Sequence, residues 1–364
     1  MKSKAIALAV ACFAAAQLLL AQSAPPPTVT VRSNLVLVPV LVTNKSGGIV
    51  FSLRAEDFTL TDDGVLQTVR LESNTDSEPL ALAVIVQTGG RGASHLGDYR
   101  HLDAMLDSVI GNVPHRVAVI GFGSTPQVEL PFTSDTGAAA KKLANLRAAP
   151  PGAAILDALR FGMDLLREQP PAYRRAVLLF SETVDSGSQT SLEDAVRAID
   201  DTNTTIYSFA FSTTKATAKH QVSQINSQDP YPAGGCMSRD ADPDAHGDRR
   251  VQALDCASDL LPPLRLARAA LLTARDGLKR NVPETVARLT GGEYFPFKNA
   301  STLAGRLVAV SNDVPNYYVL SFRPQIPHQG LHALEVKMKN SPNLRLRARK
   351  AYWVDGESAA ASDN

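Results

Sequence analysis

The sequence is poor in several residue types. Aromatic residues make up 6% of the 364 residues, with a single tryptophan, and there are only three cysteines. The 37 lysine and arginine residues nearly balance the 36 aspartate and glutamate residues, so the chain lacks the positive charge typical of a general nucleic-acid binder. No Gly-X-Y period or heptad run indicates a fibre, and a hydrophobic fraction of 44% excludes a disordered chain. That fraction is enough for one large core or two modest ones.

Motifs of common enzymes are also missing. There is no Gly-x-x-x-x-Gly-Lys-[Ser/Thr] phosphate loop, and Gly90-Arg91-Gly92 is followed by His95 where a dinucleotide fingerprint needs its third glycine. Ser181 has neither a nucleophile-elbow pattern nor an identifiable histidine partner. The seven histidines show no metal-ligand spacing, and we interpret His328 and His332, beside a predicted turn, as solvated loop residues. We therefore expect neither enzyme activity nor a cofactor.

The N-terminus predicts export. Met1–Lys4 is short and cationic, Ala5–Ala21 is apolar and uncharged, and Ala21-Gln22-Ser23 offers the small residues that a signal peptidase reads. An uncleaved anchor helix is the alternative, although this stretch is at the short limit for spanning ~30 Å of hydrocarbon. We predict a signal peptide over residues 1–24, no later transmembrane segment, and a mature chain that is periplasmic or extracellular.

Cys236 and Cys256 remain after removal of the signal peptide. An even pair in an oxidising compartment favours a disulfide, with two free buried thiols as the alternative. Between them, Asp240–Asp244 resembles the start of a calcium loop, but Gly247 comes too late and no bidentate acid occupies the twelfth position. A solvated acidic loop is therefore the other interpretation of this segment.

The two flanks of the chain read as strands. Residues 28–74 contain two strands around the turn Asp62-Asp63-Gly64, preceded by a β-branched run in which Pro39 indicates an edge or a bulge. Residues 315–354 alternate between apolar and polar positions, and residues 355–364 are small and polar, as in a frayed tail.

The middle of the chain, residues 80–314, follows a different pattern. Unbroken apolar runs such as Leu80–Val86 alternate with helical periodicity. Strands that alternate with helices predict a parallel sheet with helices on both faces, that is, an α/β fold. Residues 213–280 are more polar and loop-like, and we interpret them as an insertion.

Several segments occur in an informative order: Asn34–Val40, Asp57-Phe58, Asp62–Gly64, Val117–Phe122, Leu130–Thr133, Leu156–Leu159, Tyr317–Leu320 and Arg345–Arg349. This order, behind a signal peptide, resembles the acidobacterial family of von Willebrand factor A-related exported proteins, over roughly residues 30–354. The resemblance implies a Rossmann-like von Willebrand factor A domain with a β-rich module contributed by the N- and C-terminal flanks. It also implies an adhesion or protein-interaction role rather than an enzyme.

The family normally carries a metal-ion-dependent adhesion site built from Asp-x-Ser-x-Ser, a Thr and an Asp on three loops. The matching positions here are Gln87, Gly89, Arg91, Ala153 and Glu182. One carboxylate and one amide oxygen remain and a cation is added, so we expect no metal. We predict instead an ion pair between Arg91 and Glu182, with separate exposure of both side chains as the alternative. A shifted oxygen set from Thr88, Ser94 and Asp185 is a further alternative.

Basic residues alternate along the last strands. If Ser341-Pro342-Asn343 closes a symmetrical hairpin, one face carries Lys337, Lys339, Arg345, Arg347 and Arg349. Directly opposed like charges destabilise a sheet, so this face either binds an acidic polymer, such as a polysaccharide or a phospholipid surface, or holds hydrated side chains that splay apart.

These features predict an exported, non-catalytic adhesion or protein-interaction module with a degenerate metal-ion-dependent adhesion site. Its partner would be a protein or a component of the cell envelope, with no role for nucleic acid. The alternative is an envelope structural or assembly factor whose A-like domain has lost ligand binding.

Overall fold

The computed structural model describes residues 35–72, 78–100, 103–211, 274, 277–325, 328–339, 341 and 343–355. The predicted signal peptide, Cys236, Cys256, the Asp240–Asp244 segment and residues 356–364 lie outside the described residues. Within the described part of the chain, no helix is both long enough and apolar enough to cross a bilayer.

The described strands are β1 (Val36–Asn44), β2 (Phe58–Asp62), β3 (Val65–Gln67), β4 (Arg70–Leu71), β5 (Leu80–Gln87), β6 (His115–Phe122), β7 (Pro126–Thr133), β8 (Arg174–Ser181), β9 (Thr205–Phe211), β10 (Tyr294–Phe297), β11 (Tyr318–Phe322), β12 (Gly330–Met338), β13 (Leu344–Ala348) and β14 (Ala351–Val354). The described α-helices are α1 (Asp103–Ile110), α2 (Thr136–Ala144), α3 (Ile155–Arg167), α4 (Leu192–Asp201), α5 (Val282–Thr290) and α6 (Ala300–Asp313), and short 3-10 helices cover Ala55–Asp57 and Gly90–Tyr99.

The middle of the chain forms a six-stranded sheet in the order β10-β9-β8-β5-β6-β7. Its neighbours pair in parallel except β7, which runs antiparallel to β6 at one edge. Alternate residues of β5 face opposite sides of this sheet. Leu82 and Val84 pack under α1, α2 and α6, whereas Ala83 and Ile85 pack under α3, α4 and α5. Burial on both faces explains the unbroken apolar run, and the predicted fold class is confirmed.

The two flanks combine into two four-stranded sheets, β13-β1-β11-β4 and β14-β12-β2-β3. Both sheets combine strands from before and after the central sheet, because β1 pairs with β11 and β13, and β2 pairs with β12. Both sheets contribute to one apolar core, which includes Val40, Leu60, Leu320 and Tyr352. The β-rich module built by both flanks is therefore confirmed.

The predicted C-terminal hairpin is wrong. β12 pairs with β2 and β14, whereas β13 pairs with β1 in the other sheet. Val336 and Met338 of β12 and Leu344 and Leu346 of β13 all pack against the shared apolar core. The chain after Met338 therefore continues into the other sheet at Leu344 instead of closing a local ladder.

Pro39 was expected to mark an edge or a bulge, but β1 is not an edge strand and its two ladders keep a regular register. β1 lies between β11 and β13, but β13 covers only the half from Val40 onward. The Pro39 carbonyl accepts a hydrogen bond from the Arg349 N–H at 3.3 Å, just past the end of the β13 ladder. Since the N–H and C=O of a strand residue point the same way, the missing proline N–H would point toward the end of β13 and not toward β11, so the β1–β11 ladder loses no bond.

Candidate functional site at the carboxyl ends of the central strands

The candidate site lies where β5, β6 and β8 end. β5 is the middle strand of these three, and the chain leaves it toward β6 on one side and later returns to β8 on the other. In open α/β sheets, ligands bind outside the carboxyl ends of the strands at such a point. The loop after β5, the loop before α3 and the loop after β8 carry the five positions that the family resemblance singles out.

Gln87, the last residue of β5, joins these three loops. Its side chain is fully buried. The amide Nε2 donates to Glu182 Oε1 at 2.8 Å, and the amide Oε1 accepts from the Glu182 backbone N–H at 2.8 Å. Nε2 also lies 3.2 Å from the Gly89 carbonyl and 3.4 Å from the Gly152 carbonyl. One neutral amide thus connects the first loop to both of the others.

The predicted ion pair between Arg91 and Glu182 is not formed. Arg91 is exposed at the start of the 3-10 helix Gly90–Tyr99, and it forms no ion pair with any residue that the structure describes. The Glu182 carboxylate accepts from Gln87 instead. The Gln87 amide reaches Glu182 because Gln87 is the last residue of β5, whereas the 3-10 helix directs the Arg91 guanidinium toward solvent.

Gly89 occupies the position of the family's first serine, and main chain fills the space around it. A Cβ at Gly89 would lie 2.3 Å from the Pro150 carbonyl oxygen and 2.5 Å from the Gly123 Cα. The N–H groups of Thr88 and Gly89 both donate to the Phe122 carbonyl, at 2.7 and 3.0 Å. The loops therefore pack backbone to backbone where a serine ligand would have to project.

The position of the family's threonine is Ala153, which is also held by main chain. Ala153 and Ser186 exchange backbone hydrogen bonds of 3.3 and 2.9 Å. The shifted oxygen set is engaged elsewhere: Thr88 Oγ1 donates to the Phe122 carbonyl, Ser94 Oγ donates to the Arg91 carbonyl, and Asp185 Oδ1 accepts from the Leu156 N–H and the Ser188 hydroxyl. Each of the three oxygens thus has a local hydrogen-bond partner.

Asp157, in the first turn of α3, was not singled out by the sequence analysis. Its carboxylate accepts from the N–H of Thr190 at 2.7 Å and from the N–H of Gln189 at 3.0 Å. Burial acts to raise the pKa of Asp157, but hydrogen bonds from Thr190 and Gln189 outweigh it and lower the pKa. Together with Asp185, Asp157 fixes the loop after β8 onto the start of α3.

This donor set does not fit the metal that the resemblance implies. Mg²⁺ requires near-octahedral oxygen coordination. Here an amide N–H points at the carboxylate of Glu182, and neither Gly89 nor Ala153 has a side-chain oxygen. The groups of these loops form hydrogen bonds with one another and do not present a set of oxygen ligands to a cation.

Comparison with known proteins identifies the domain. Residues 100–246 match the von Willebrand factor type A domain family. The chain contains a von Willebrand factor type A domain. The match begins after the first loop of the domain, where Gln87, Gly89 and Arg91 depart from the family pattern, and it includes the positions of Ala153 and Glu182. No curated protein matches the chain significantly.

Solved structures with a similar domain are distant in sequence. The conserved hypothetical protein BatB from Bacteroides thetaiotaomicron is 14% identical over 65% of this chain and 98% of its own, with a TM-score of 0.39. Proximal thread matrix protein 1 from the mussel byssus is 11% identical over 76% of this chain and 50% of its own, with a TM-score of 0.39. The SpRpn10 VWA domain is 17% identical over 41% of this chain and 84% of its own, with a TM-score of 0.30.

The structure separates the five basic residues predicted to share a face. Arg347 pairs with Glu293 and Asp313, and Arg349 is buried against Asp200, so both hold β13 and the residue after it against the von Willebrand factor A domain. Lys337 is exposed and pairs with Glu335 at 2.8 Å. Lys339 and Arg345 are exposed; Lys339 directly follows β12 and Arg345 lies on β13, and these two strands belong to different sheets. A single basic hairpin face for an acidic polymer is therefore not assembled.

The interpretation of His332 as a solvated loop residue is wrong. His332 lies inside β12 and is fully buried, with Asp62 and Asp63 against its ring. The sequence did hold a signal: His332 shares strand parity with Leu334 and Val336, the apolar face of β12. A histidine on that face belongs inside the sandwich, in contact with the acidic turn between β2 and β3.

Proposed function

We propose that this protein is an exported, non-catalytic interaction module of the acidobacterial von Willebrand factor A-related type. Its A domain spans residues 80–314 and binds a protein or cell-envelope partner at the carboxyl ends of the central strands, without a divalent cation. The observation that carries this proposal is the Gln87 amide, which holds Glu182 where a metal would otherwise join the loops.

The surface around this amide supports a direct contact with a partner. In the family, the bound metal leaves one coordination position for a carboxylate of the partner. Here Arg91 is exposed and Val184, near the start of the loop after β8, keeps 46% of its surface exposed. A guanidinium can bind a carboxylate by two parallel hydrogen bonds, so Arg91 offers an acidic side chain of the partner a direct cationic ligand. Arginine is also enriched at interface cores.

The test is capture from native envelope extract by the immobilised mature chain, quantified by mass spectrometry. We expect the same proteins to be captured in EDTA and in Mg²⁺, and Arg91→Glu to reduce their recovery by ~10-fold or more, which is the cost of losing a charge-assisted contact of about 1.4 kcal/mol or more. Arg345→Glu is the matched control, because Arg345 is also an exposed arginine but lies on β13 of the β-rich module. Its recovery should equal that of the wild type.

Two outcomes would contradict the proposal. Capture that requires Mg²⁺ would show a functional cation site. Equal capture by wild type and Arg91→Glu, together with loss of capture in Arg345→Glu, would favour the alternative function, an envelope structural or assembly factor that acts through its β-rich module.

A further inference from the structure

The β sandwich carries a second cluster of ionisable side chains, remote in sequence from the loops above. Asp62 ends β2, Asp63 starts the turn to β3, and His328 and His332 lie before and within β12. Asp63 adopts a left-handed conformation with φ of 48°, and its backbone and side chain both bond to Ala333: the Asp63 N–H donates to the Ala333 carbonyl at 2.9 Å and the Ala333 N–H donates to Asp63 Oδ1 at 2.8 Å. Asp63 is thereby fixed against β12.

One oxygen of Asp63 faces both imidazole rings. Asp63 Oδ2 lies 2.9 Å from His328 Nε2 and 2.9 Å from His332 Nδ1. These three atoms all lie within 4.8 Å of one another. His332 and Asp63 are almost fully buried, whereas the side chain of His328 keeps 23% of its surface exposed. The cluster is thus enclosed on the side of His332 and open to solvent on the side of His328.

The hydrogen bonds of the outer ring nitrogens determine whether the inner ring nitrogens of neutral imidazoles carry a proton. His328 Nδ1 lies 3.2 Å from the Gln329 carbonyl, and His332 Nε2 lies 2.8 Å from the His328 carbonyl. A carbonyl oxygen only accepts, so each outer nitrogen carries the proton. In a neutral imidazole the inner nitrogen would then present a lone pair to a carboxylate oxygen, which is repulsive. The arrangement therefore needs positive charge between the three atoms, supplied by protons or by a metal ion.

We propose that Asp63 Oδ2, His328 Nε2 and His332 Nδ1 bind a divalent transition-metal ion of the Zn²⁺ class. Imidazole nitrogen and carboxylate oxygen are ligands that suit Zn²⁺, and three protein ligands with one open position are typical of a Zn²⁺ site that keeps a water. Two aspartates, Asp62 and Asp63, balance the charge of one divalent ion. The nearly parallel rings of His328 and His332, with centroids 3.8 Å apart, require the more exposed His328 ring to turn toward the ion.

The groups around these ligands are already positioned for that role. Both histidines donate their outer N–H to backbone carbonyls, and Asp63 Oδ1 accepts from the Ala333 N–H. Tyr352 donates its hydroxyl to Asp62 Oδ2 at 2.8 Å, and the Tyr352 ring stacks on that of His332. Such outer contacts fix the tautomer and orientation of metal ligands, and their loss typically weakens metal binding about 10- to 100-fold.

The experiment is a titration of the metal-stripped mature chain with ZnCl₂, followed by isothermal calorimetry and by metal analysis after dialysis. We expect one EDTA-reversible Zn²⁺ per chain at this site. His328→Ala, the least buried ligand, should weaken binding about 100-fold or more, and Tyr352→Phe about 10-fold. His115→Ala is the matched control, since His115 lies at the start of β6 and should leave the affinity unchanged.

Asp63→Asn separates loss of binding from loss of the fold. Asparagine tolerates the left-handed conformation and keeps an acceptor for the Ala333 N–H, so circular dichroism should match the wild type while Zn²⁺ binding weakens. No Zn²⁺ binding by the wild type would overturn the proposal and leave the cluster as a set of hydrogen bonds between Asp63 and the two histidines. Equal binding by His328→Ala and His115→Ala would equally overturn it, because the ion would then be held elsewhere.

Discussion

The replacement Gln87→Glu is the sharpest test of the amide bridge at the strand ends. It keeps the shape of the side chain and exchanges one NH₂ group for oxygen. The donor that now lies 2.8 Å from Glu182 Oε1 becomes a second carboxylate oxygen in a buried position. Two carboxylates at this distance cannot both remain ionised without a large cost.

The expected cost can be worked from that distance. Coulomb repulsion between two charges 2.8 Å apart is about 6 kcal/mol at an effective dielectric constant of about 20. Protonating one carboxyl at pH 7 costs less, about 3.7 kcal/mol, because the pKa of a model glutamate is about 4.3 and one pH unit is about 1.36 kcal/mol. The protonated carboxyl can donate to Glu182 as the amide did. Protonation therefore sets the ceiling on the repulsive part of the loss, and the lost N–H contacts to the Gly89 and Gly152 carbonyls add to it.

The stability lost in Gln87→Glu should depend on pH. The folded variant binds one more proton than the unfolded chain between pH 5 and 7, so its stability relative to wild type increases as the pH falls. We expect the loss in unfolding free energy to shrink by about 1.4 kcal/mol per pH unit over this range. Urea unfolding of the mature chain at pH 5, 6 and 7, followed by circular dichroism, measures it.

Gln127→Glu is the matched control. Gln127 Nε2 lies 2.7 Å from Glu129 Oε1, but Gln127 is exposed on the edge strand β7, so its replacement should cost about 1 kcal/mol or less. A loss at Gln87 as small as that of the control, or one independent of pH, would refute the bridge. The main chain packed around Gly89 predicts that no cation binds here. Restoration of the stability of Gln87→Glu by Mg²⁺ or Ca²⁺ would refute that prediction.

Two further pairs of variants test the loops around this bridge. Asp157→Ala should cost about 1.5–3 kcal/mol at pH 7 through the loss of a charged acceptor, whereas Asp164→Ala, half-buried on the same helix and paired only with surface arginines, should cost about 1 kcal/mol or less. Hydrogen bonds hold the folded-state pKa of Asp157 below its unfolded value. The difference in stability between these two variants should therefore be present at neutral pH and be lost as the pH falls through the folded-state pKa. Urea unfolding across the acid range measures this difference. Gly89→Ala should cost at least about 1–3 kcal/mol because its methyl group would lie 2.3 Å from the Pro150 oxygen, whereas Gly97→Ala, with open space around it, should change stability by about 0.5 kcal/mol or less. Equal shifts in thermal unfolding for the two glycine variants would contradict the close packing of the loops.

The central sheet was predictable from sequence because its signals are local. A strand covered on both faces must be apolar at consecutive positions, as in Leu80–Val86 and Ala176–Phe180, and each helix between strands carries its own periodicity. These patterns need no knowledge of the partner strand, since each is carried by the strand or helix itself.

The pairing of the flanking strands was not predictable in the same way. Alternation in Leu334–Met338 and Leu344–Ala348 identifies an apolar face, but it does not identify the strand that lies beside it. A short turn favours the local partner, whereas both strands pair with segments near the other end of the chain. Non-local burial of both apolar faces outweighed the local turn signal.

At the strand ends, the sequence located the positions but not their contacts. Gln87 and Arg91 are both candidates for a bond to Glu182 in the sequence, and the choice depends on the 3-10 helix that begins at Gly90. A turn rich in glycine gives no helical periodicity, so the extent of this helix has no clear signal in the sequence. The buried position of His332 has a sequence signal, because His332 shares strand parity with Leu334. Its location beside a predicted turn favoured a solvated position instead.

The threading of β1 between β11 and β13 has a consequence for the order in which the protein can mature. A chain that emerges from its N-terminus presents β1 and β2 first, while Phe322 and Met338, which pair with Val36 and Phe58, emerge almost last. The A domain, whose strands β5–β10 pair only among themselves in the described structure, can assemble in the interval and bring the two flanks within reach, which lowers the entropic cost of closing so long a loop. The β sandwich would then be the last part of the described structure to form. A chain cut by a protease after Val314 would keep the pairings of the A domain but leave β1 and β2 as open edges, the kind of surface on which aggregation starts.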